Sequence, residues 1–163
     1  MGMQEIEQQD TTGTPYFIDA SWFEENNFSF TDFVQARMCA PCVRRLDEEV
    51  EERYTVMDQK TRRFKYEFRT VKYGANPAKV IRDHCSKEKN YIQPDMPTLE
   101  AIFRIYLANG NVPMPLEHVR EQLAEWCPGG GCQWLLLPME ALERLVQRDT
   151  YYGIRPHEIA IPA

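Results

Sequence analysis

Apolar residues recur at two periods along this chain, and the change of period marks the predicted elements. From Thr98 the spacing is helical: Leu99, Ile102, Phe103 and Tyr106 fall at i, i+3, i+4 and i+7, with Asn109-Gly110-Asn111 as the stop. Pro115 stands at the first-turn position of a second helix with Leu116, Val119, Leu123 and Trp126 inward. Pro138 opens a third, carrying Met139, Leu142, Leu145 and Val146 on one face. An extended segment follows over 150–161, closed by Pro162.

The N-terminal part is less regular. Residues 16–23 are apolar and read as a strand or an irregular packed segment. Ser29 and Asp32 mark a helix start in the manner of a capping box, and Phe30, Phe33, Val34 and Met38 continue it up to Ala40-Pro41. Residues 43–53 place Val43, Leu46 and Val50 on one stripe of a charged helix. Phe64, Tyr66 and Phe68 alternate with Lys65, Glu67 and Arg69, which predicts a strand with the aromatic rings on its buried face. Pro77 to Cys85 reads as one or two helical turns, and the two prolines of 90–97 read as a linker.

The C-terminal order of three helices and an extended tail resembles a winged-helix domain. The resemblance covers about 98–161 and rests on the segments LEAIFRIYLANGN, PLEHVREQLAEW and PMEALERLVQRDTYYGIRP. It implies a third helix that enters the DNA major groove or contacts a protein. The outward positions of that helix (Glu140, Glu143, Arg144, Gln147, Arg148 and Asp149) carry three acids against two bases, which favours a protein contact. The expected architecture is therefore α+β and mainly helical. A leader spans 1–14, a cysteine-bearing segment of helices and strand spans 15–92, and a winged-helix-like unit spans 93–163.

Cysteines change the picture most. Cys39 and Cys42 form one CxxC pair, Cys127 and Cys132 flank Pro-Gly-Gly-Gly, and Cys85 stands alone beside His84. The first residues carry no apolar signal region, so a reducing, cytoplasmic setting is expected, where grouped cysteines bind metal more often than they pair. At most four of Cys39, Cys42, Cys85, Cys127 and Cys132 can ligate at once. The set Cys39, Cys42, Cys127 and Cys132 suits structural zinc. A [4Fe–4S] cluster, favoured here, draws Cys85 into the set with Cys39, Cys42 and one of the other two. Either centre joins the two halves of the chain. His84 is a further candidate ligand, whereas His118 and His157 read as surface residues.

Charge narrows the partners. The chain of 163 residues carries 19 Lys and Arg against 25 Asp and Glu, a net charge of −6, which argues against non-specific wrapping of DNA. The stretch 60–89 runs the other way, with ten Lys or Arg against three acids, a local net of +7. Weak nucleic-acid binding through Arg62, Arg63, Lys65 and Arg69 is expected at most, and a protein partner is preferred. No apolar run approaches the roughly 20 residues of a membrane span. P-loop, Gly-x-Ser-x-Gly, Gly-x-Gly-x-x-Gly and His-Glu-x-x-His motifs are missing, and no nucleophile has an evident partner. The sequence thus predicts a metal-binding regulatory or adaptor protein that senses redox or metal state. The alternative is a small iron–sulfur or dithiol redox protein.

Overall fold

The computed structural model of the protein describes residues 13–158. Eight α-helices and two small sheets make up a mixed α/β fold among these residues. In chain order they are β1 (Pro15–Ile18), α1 (Ala20–Glu25), α2 (Phe30–Gln35), α3 (Ala40–Val43), β2 (Glu49–Met57), β3 (Phe64–Lys72), α4 (Pro77–Asp83), α5 (Thr98–Ala108), β4 (Met114–Pro115), α6 (Leu116–Glu125), α7 (Gln133–Leu136), α8 (Met139–Gln147) and β5 (Ile154–Pro156). A 3-10 turn, Cys85–Lys87, follows α4.

Helix α5 is the centre of the core. Ala101, Ile102, Phe103, Ile105, Tyr106 and Leu107 are all buried, so this helix is covered nearly all round, as an interior helix must be. Phe23, Val34, Ile81, Leu123, Trp134 and Leu142 from the surrounding helices join the same apolar cluster. The three C-terminal helices lie where the 3.6-residue period places them, and Pro115 and Pro138 stand as the N-caps of α6 and α8.

Strand β1 sits between β4 and β5, antiparallel to both, with Tyr16 opposite Met114 and Ile18 opposite Ile154. N-terminal residues therefore complete a sheet whose other strands flank the C-terminal helices. Asn111, at φ 60°, ties β1 from the side: its amide accepts from the Ile18 N–H and donates to the Ile18 carbonyl, both at 2.8 Å. Gly153 admits β5 to this sheet because its φ of +69° and the Phe23 ring, 2.6 Å from where a Cβ would lie, exclude any side chain.

Several expectations are corrected here. Residues 43–53 are not one helix. Helix α3 ends at Val43, Asp47 takes a left-handed φ of 70°, and Glu49–Met57 pairs along its full length with Phe64–Lys72. Helical and extended readings compete in a segment this charged, and a nine-residue ladder of pairing outweighs the weak i, i+3 stripe. Helix α2 stops at Gln35, before the Ala40-Pro41 pair, which instead begins α3. The prolines of 90–97 do give irregular chain, but Tyr91 and Ile92 within it are buried, and the Tyr91 hydroxyl donates to the Arg104 carbonyl at 2.6 Å. Asp149 does not face outward from the third helix. It is buried, and its carboxylate accepts the N–H groups of Tyr151, Tyr152 and Ile154, which shapes the turn into β5. Residues 1–12 of the expected leader (1–14) and the tail beyond residue 158 lie outside the described residues.

The largest difference concerns the alternation at Phe64, Tyr66 and Phe68. The strand is there, yet all three rings are exposed, at 73%, 62% and 64%. Pairing puts Met57 opposite Phe64, Thr55 opposite Tyr66 and Arg53 opposite Phe68 on that face, and nothing among the described residues covers it. The opposite face carries Val50 and Val71 and turns its root toward α4, where Lys79 and Glu52 pair at 2.9 Å. Alternation of period two says which side chains share a face; it does not say which face meets the core.

Candidate metal centre

Three cysteines converge at the root of the β2–β3 hairpin. Cys39 is the N-cap of α3, Cys42 lies one turn on, and Cys85 is the first residue of the 3-10 turn. Their sulfurs all lie within 4.8 Å of one another, a spacing at which one metal ion can be held. Local chain chemistry produces this convergence. Pro41 fits the first turn of α3, so the CxxC coils at once and turns both thiols to the same side. On the other side, Asn76 caps α4 by accepting the Lys79 N–H, and the helix breaks at His84, which sends the chain into the turn that presents Cys85.

Hydrogen bonds already point at the sulfurs. The Cys39 N–H donates to the Cys85 Sγ at 3.1 Å, and the Tyr73 hydroxyl donates to the Cys42 Sγ at 3.2 Å. Donors of this kind orient metal-bound thiolates and draw charge from them. Tyr73 follows β3 directly, and the Arg45 guanidinium lies 4.1 Å over its ring, so the hairpin's exit strand is tied to the centre. Burial, with the bond to the Cys42 sulfur next, pushes the Tyr73 hydroxyl up to about 12. Burial also pushes the Cys85 thiol up to about 12 in the absence of an ion. Cys39 is half-buried. Burial acts to raise its thiol, but hydrogen bonds from Cys42 and Cys85 outweigh that, and its pKa is lowered. A bound cation adds a further force in that direction for all three thiols.

Cys127 and Cys132 do not join this set. Their sulfurs are bonded to each other, across a Cα–Cα distance of 6.3 Å that suits a disulfide. The loop lets this happen: Gly130 takes φ +75°, and no atom crowds the Cβ position of Gly129, Gly130 or Gly131. Both cysteines are buried at the junction of α6 and α7. Spacing alone does not distinguish two cysteines that meet an ion from two that meet each other, which is why both pairs read alike in the sequence. His84 also lies apart, lining a cavity of about 520 Å³ between the hairpin root and α4. Of the five cysteines singled out in the sequence, then, the structure brings together Cys39, Cys42 and Cys85.

Sequence reasoning missed Tyr73 and the charged wall beside the centre. Arg37 donates to both carboxylate oxygens of Glu100, each at 2.7 Å, and Arg104 donates to the same carboxylate at 2.8 Å. Arg37 also lies 3.9 Å over the Phe33 ring. Arg37 and Arg104 border a cavity of about 310 Å³, which Cys39 and Cys85 also line. Arg37 and Glu100 are 63 residues apart, and only the helical spacing of Glu100 and Arg104 was legible beforehand.

No protein-family model, curated protein or solved structure matches the chain. Among the described residues, no helix is long and apolar enough to cross a membrane.

Proposed function

We propose that this chain is a metal-centred binding module. On this reading a single zinc ion, held by Cys39, Cys42 and Cys85, fixes the root of the β2–β3 hairpin, and the exposed aromatic face of that hairpin docks a protein partner. The observation that carries the proposal is the position of the three sulfurs at the base of a hairpin whose outer face is uncovered among the described residues.

Zinc is preferred to a [4Fe–4S] cluster on geometric grounds. Zinc binds sulfur at about 2.3 Å, so two sulfurs of one tetrahedron stand about 3.8 Å apart. A cubane cluster places each thiolate on a different iron, which spreads the ligand sulfurs more widely than a single ion does. Sulfurs within 4.8 Å of one another fit the single ion.

A protein partner is preferred to nucleic acid because of how charge is distributed over the hairpin. The aromatic face carries Glu49 and Glu51 against Arg53 and Lys72, which cancel. Lys65 and Arg69 lie on the other face, paired with Glu67 at 3.7 Å and Glu52 at 3.0 Å. Arg62 and Arg63 sit at the turn. The unbalanced cations of the hairpin thus lie away from the rings, and Arg53, 4.4 Å over the Tyr66 ring, shares its face with Glu49 and Glu51, whereas a nucleic-acid platform needs a net positive surface beside its rings. Exposed Phe, Tyr, Met and Arg side chains grouped together are the composition of protein interfaces.

The order of α5, β4, α6, α8 and β5 supports the winged-helix-like reading of the C-terminal half, with β1 in the central strand position. Helix α8 remains mixed in charge on its outer face, which supports a protein contact there too. Loss of the ion would loosen the hairpin root, and metal occupancy would in this way govern partner binding.

The test is affinity capture from host extract with three baits: the wild-type chain, Phe64→Ala/Phe68→Ala, and the wild-type chain stripped of metal. The double variant should change stability by no more than about 0.5 kcal/mol, because the rings touch no core. A protein retained by the metal-loaded wild type and lost from the other two baits is the expected result. Equal retention by the double variant would contradict the proposal. So would retention abolished by nuclease and by Arg62→Ala/Arg63→Ala, since the partner would then be a polyanion.

A further inference from the structure

Three cysteines leave a zinc ion one ligand short. Zinc sites are almost always four-coordinate, and a site with three protein ligands keeps its last position for water or a bound molecule. Among the described residues, Cys39, Cys42 and Cys85 are the side chains whose donor atoms lie mutually within 4.8 Å. The open side of this group is not packed. Cys42 is covered by the Tyr73 hydroxyl, whereas Cys39 is only half-buried, and Cys39 and Cys85 both line the cavity of about 310 Å³. The same cavity is bordered by Glu88, Asn90, Arg37 and Arg104.

We propose that the metal keeps its fourth coordination position open to this cavity, and that the position accepts a small thiol bearing a carboxylate. The inference rests on the single-ion reading above. Three features of the cavity select this class of ligand. A metal already surrounded by thiolates favours a further soft donor. A volume of about 310 Å³ lies at the small end of ligand pockets, so the occupant is compact. The third feature is Arg104. Its Nε donates to Glu100 and its Nη1 to the Tyr91 carbonyl, which leaves Nη2 without a partner among the described residues. Two guanidinium groups share the Glu100 carboxylate and Glu88 balances the remaining charge, so a ligand carboxylate is favoured by the unpartnered Nη2 donor and not by net charge. Glu88, three residues after Cys85 on the same lining, would accept a hydrogen bond from metal-bound water in the resting state. Binding is a substitution: the metal–oxygen bond breaks and water leaves, a metal–sulfur bond forms, and the thiol proton passes to solvent. No electron is transferred.

Cobalt(II) reports this directly, because its visible spectrum follows ligand type and coordination number. The full-length chain is loaded with cobalt and titrated with mercaptoacetate and, separately, with 2-mercaptoethanol, which has the thiol without the carboxylate. Mercaptoacetate should raise the sulfur-to-cobalt charge-transfer absorption saturably, at one equivalent, and should bind about tenfold tighter than 2-mercaptoethanol, the gain expected of one charge-assisted hydrogen bond. A stoichiometric cobalt spectrum that neither thiol moves would overturn the open position while leaving the metal reading intact. If Glu88→Gln then changed the resting spectrum, the fourth ligand would be Glu88 itself. Equal affinity for the two thiols would overturn the role given to Arg104. Failure to bind cobalt at all would remove the metal centre and this inference together.

Discussion

Serine at Cys42 or Cys85 should abolish metal binding and lower stability by about 4 kcal/mol or more, about 10 °C or more in thermal midpoint for a chain of this size. Both sulfurs are nearly buried, so their loss cannot be made good by a ligand from solvent. Two remaining thiolates form an incomplete, exchangeable site, and the binding energy that linked α3 to the turn after α4 disappears with the ion. Serine at Cys39 should release the metal as well. Cys127→Ser and Cys132→Ser provide the contrast. They should retain the full metal content, because those sulfurs bond to each other, and should cost about 2 kcal/mol, the closure entropy of a short loop. Metal analysis and thermal melting of the five variants separate the two groups. If metal fell equally in all five, the disulfide would be part of the centre, and the assignment of ligands would be wrong.

The second large effect concerns Glu100. Its carboxylate holds Arg37 and Arg104 at once, with side chains only 14%, 10% and 19% exposed. Removing it by Glu100→Ala leaves two buried cations without a counter-charge, and should cost about 3–5 kcal/mol. The pH dependence has a definite sign. Burial acts to raise the Glu100 carboxyl, but hydrogen bonds from Arg37 and Arg104 outweigh it and hold it below the ordinary carboxylate range. A folded-state pKa below the unfolded one adds stability that is fully present above the unfolded value of about 4.3. That contribution is lost as pH falls through the folded value. Chemical denaturation of the wild type and Glu100→Gln should therefore differ most at neutral pH and begin to converge only as pH falls below about 4.3, toward the folded value. A gap that stayed constant into acid would show that the pair contributes shape rather than charge.

Much of the helical frame was legible in the sequence, for a physical reason. Leu99 to Tyr106, Leu116 to Leu123 and Leu142 to Val146 bury a continuous stripe, and such a stripe has one solution at a period of 3.6. Ser29 and Pro77 likewise announced α2 and α4 through local hydrogen bonding and fixed φ, with no need of distant partners. Strand β2 was not legible, because its charged sequence carries little intrinsic preference and its stability comes from pairing with a strand further along. The exposure of Phe64, Tyr66 and Phe68 was hidden for a related reason: burial is a property of what lies opposite, and among the described residues nothing does.

The candidate site divides in the same way. Cys39 and Cys42 declared themselves by spacing, since one turn of chain brings them together. Cys85 gave no local signal beyond its residue type; it reaches the site through the packing of α4 against α2 and α5. Cys127 and Cys132 gave the same local signal as the first pair, and only their separation from it in space reveals the difference. Tyr73 and the Arg37–Glu100 pair are made by tertiary contact, and neither residue type nor spacing marks them beforehand; within the wall, the i, i+4 spacing of Glu100 and Arg104 alone is a local signal.

Elemental analysis combined with X-ray absorption on the chain purified without oxygen tests the central claim most directly. The expected result is one zinc per chain, about three sulfur neighbours at about 2.3 Å, one lighter oxygen or nitrogen neighbour, and no metal–metal scattering. Iron in fourfold excess over protein with a short iron–iron distance, or a folded chain free of any metal, would contradict the account.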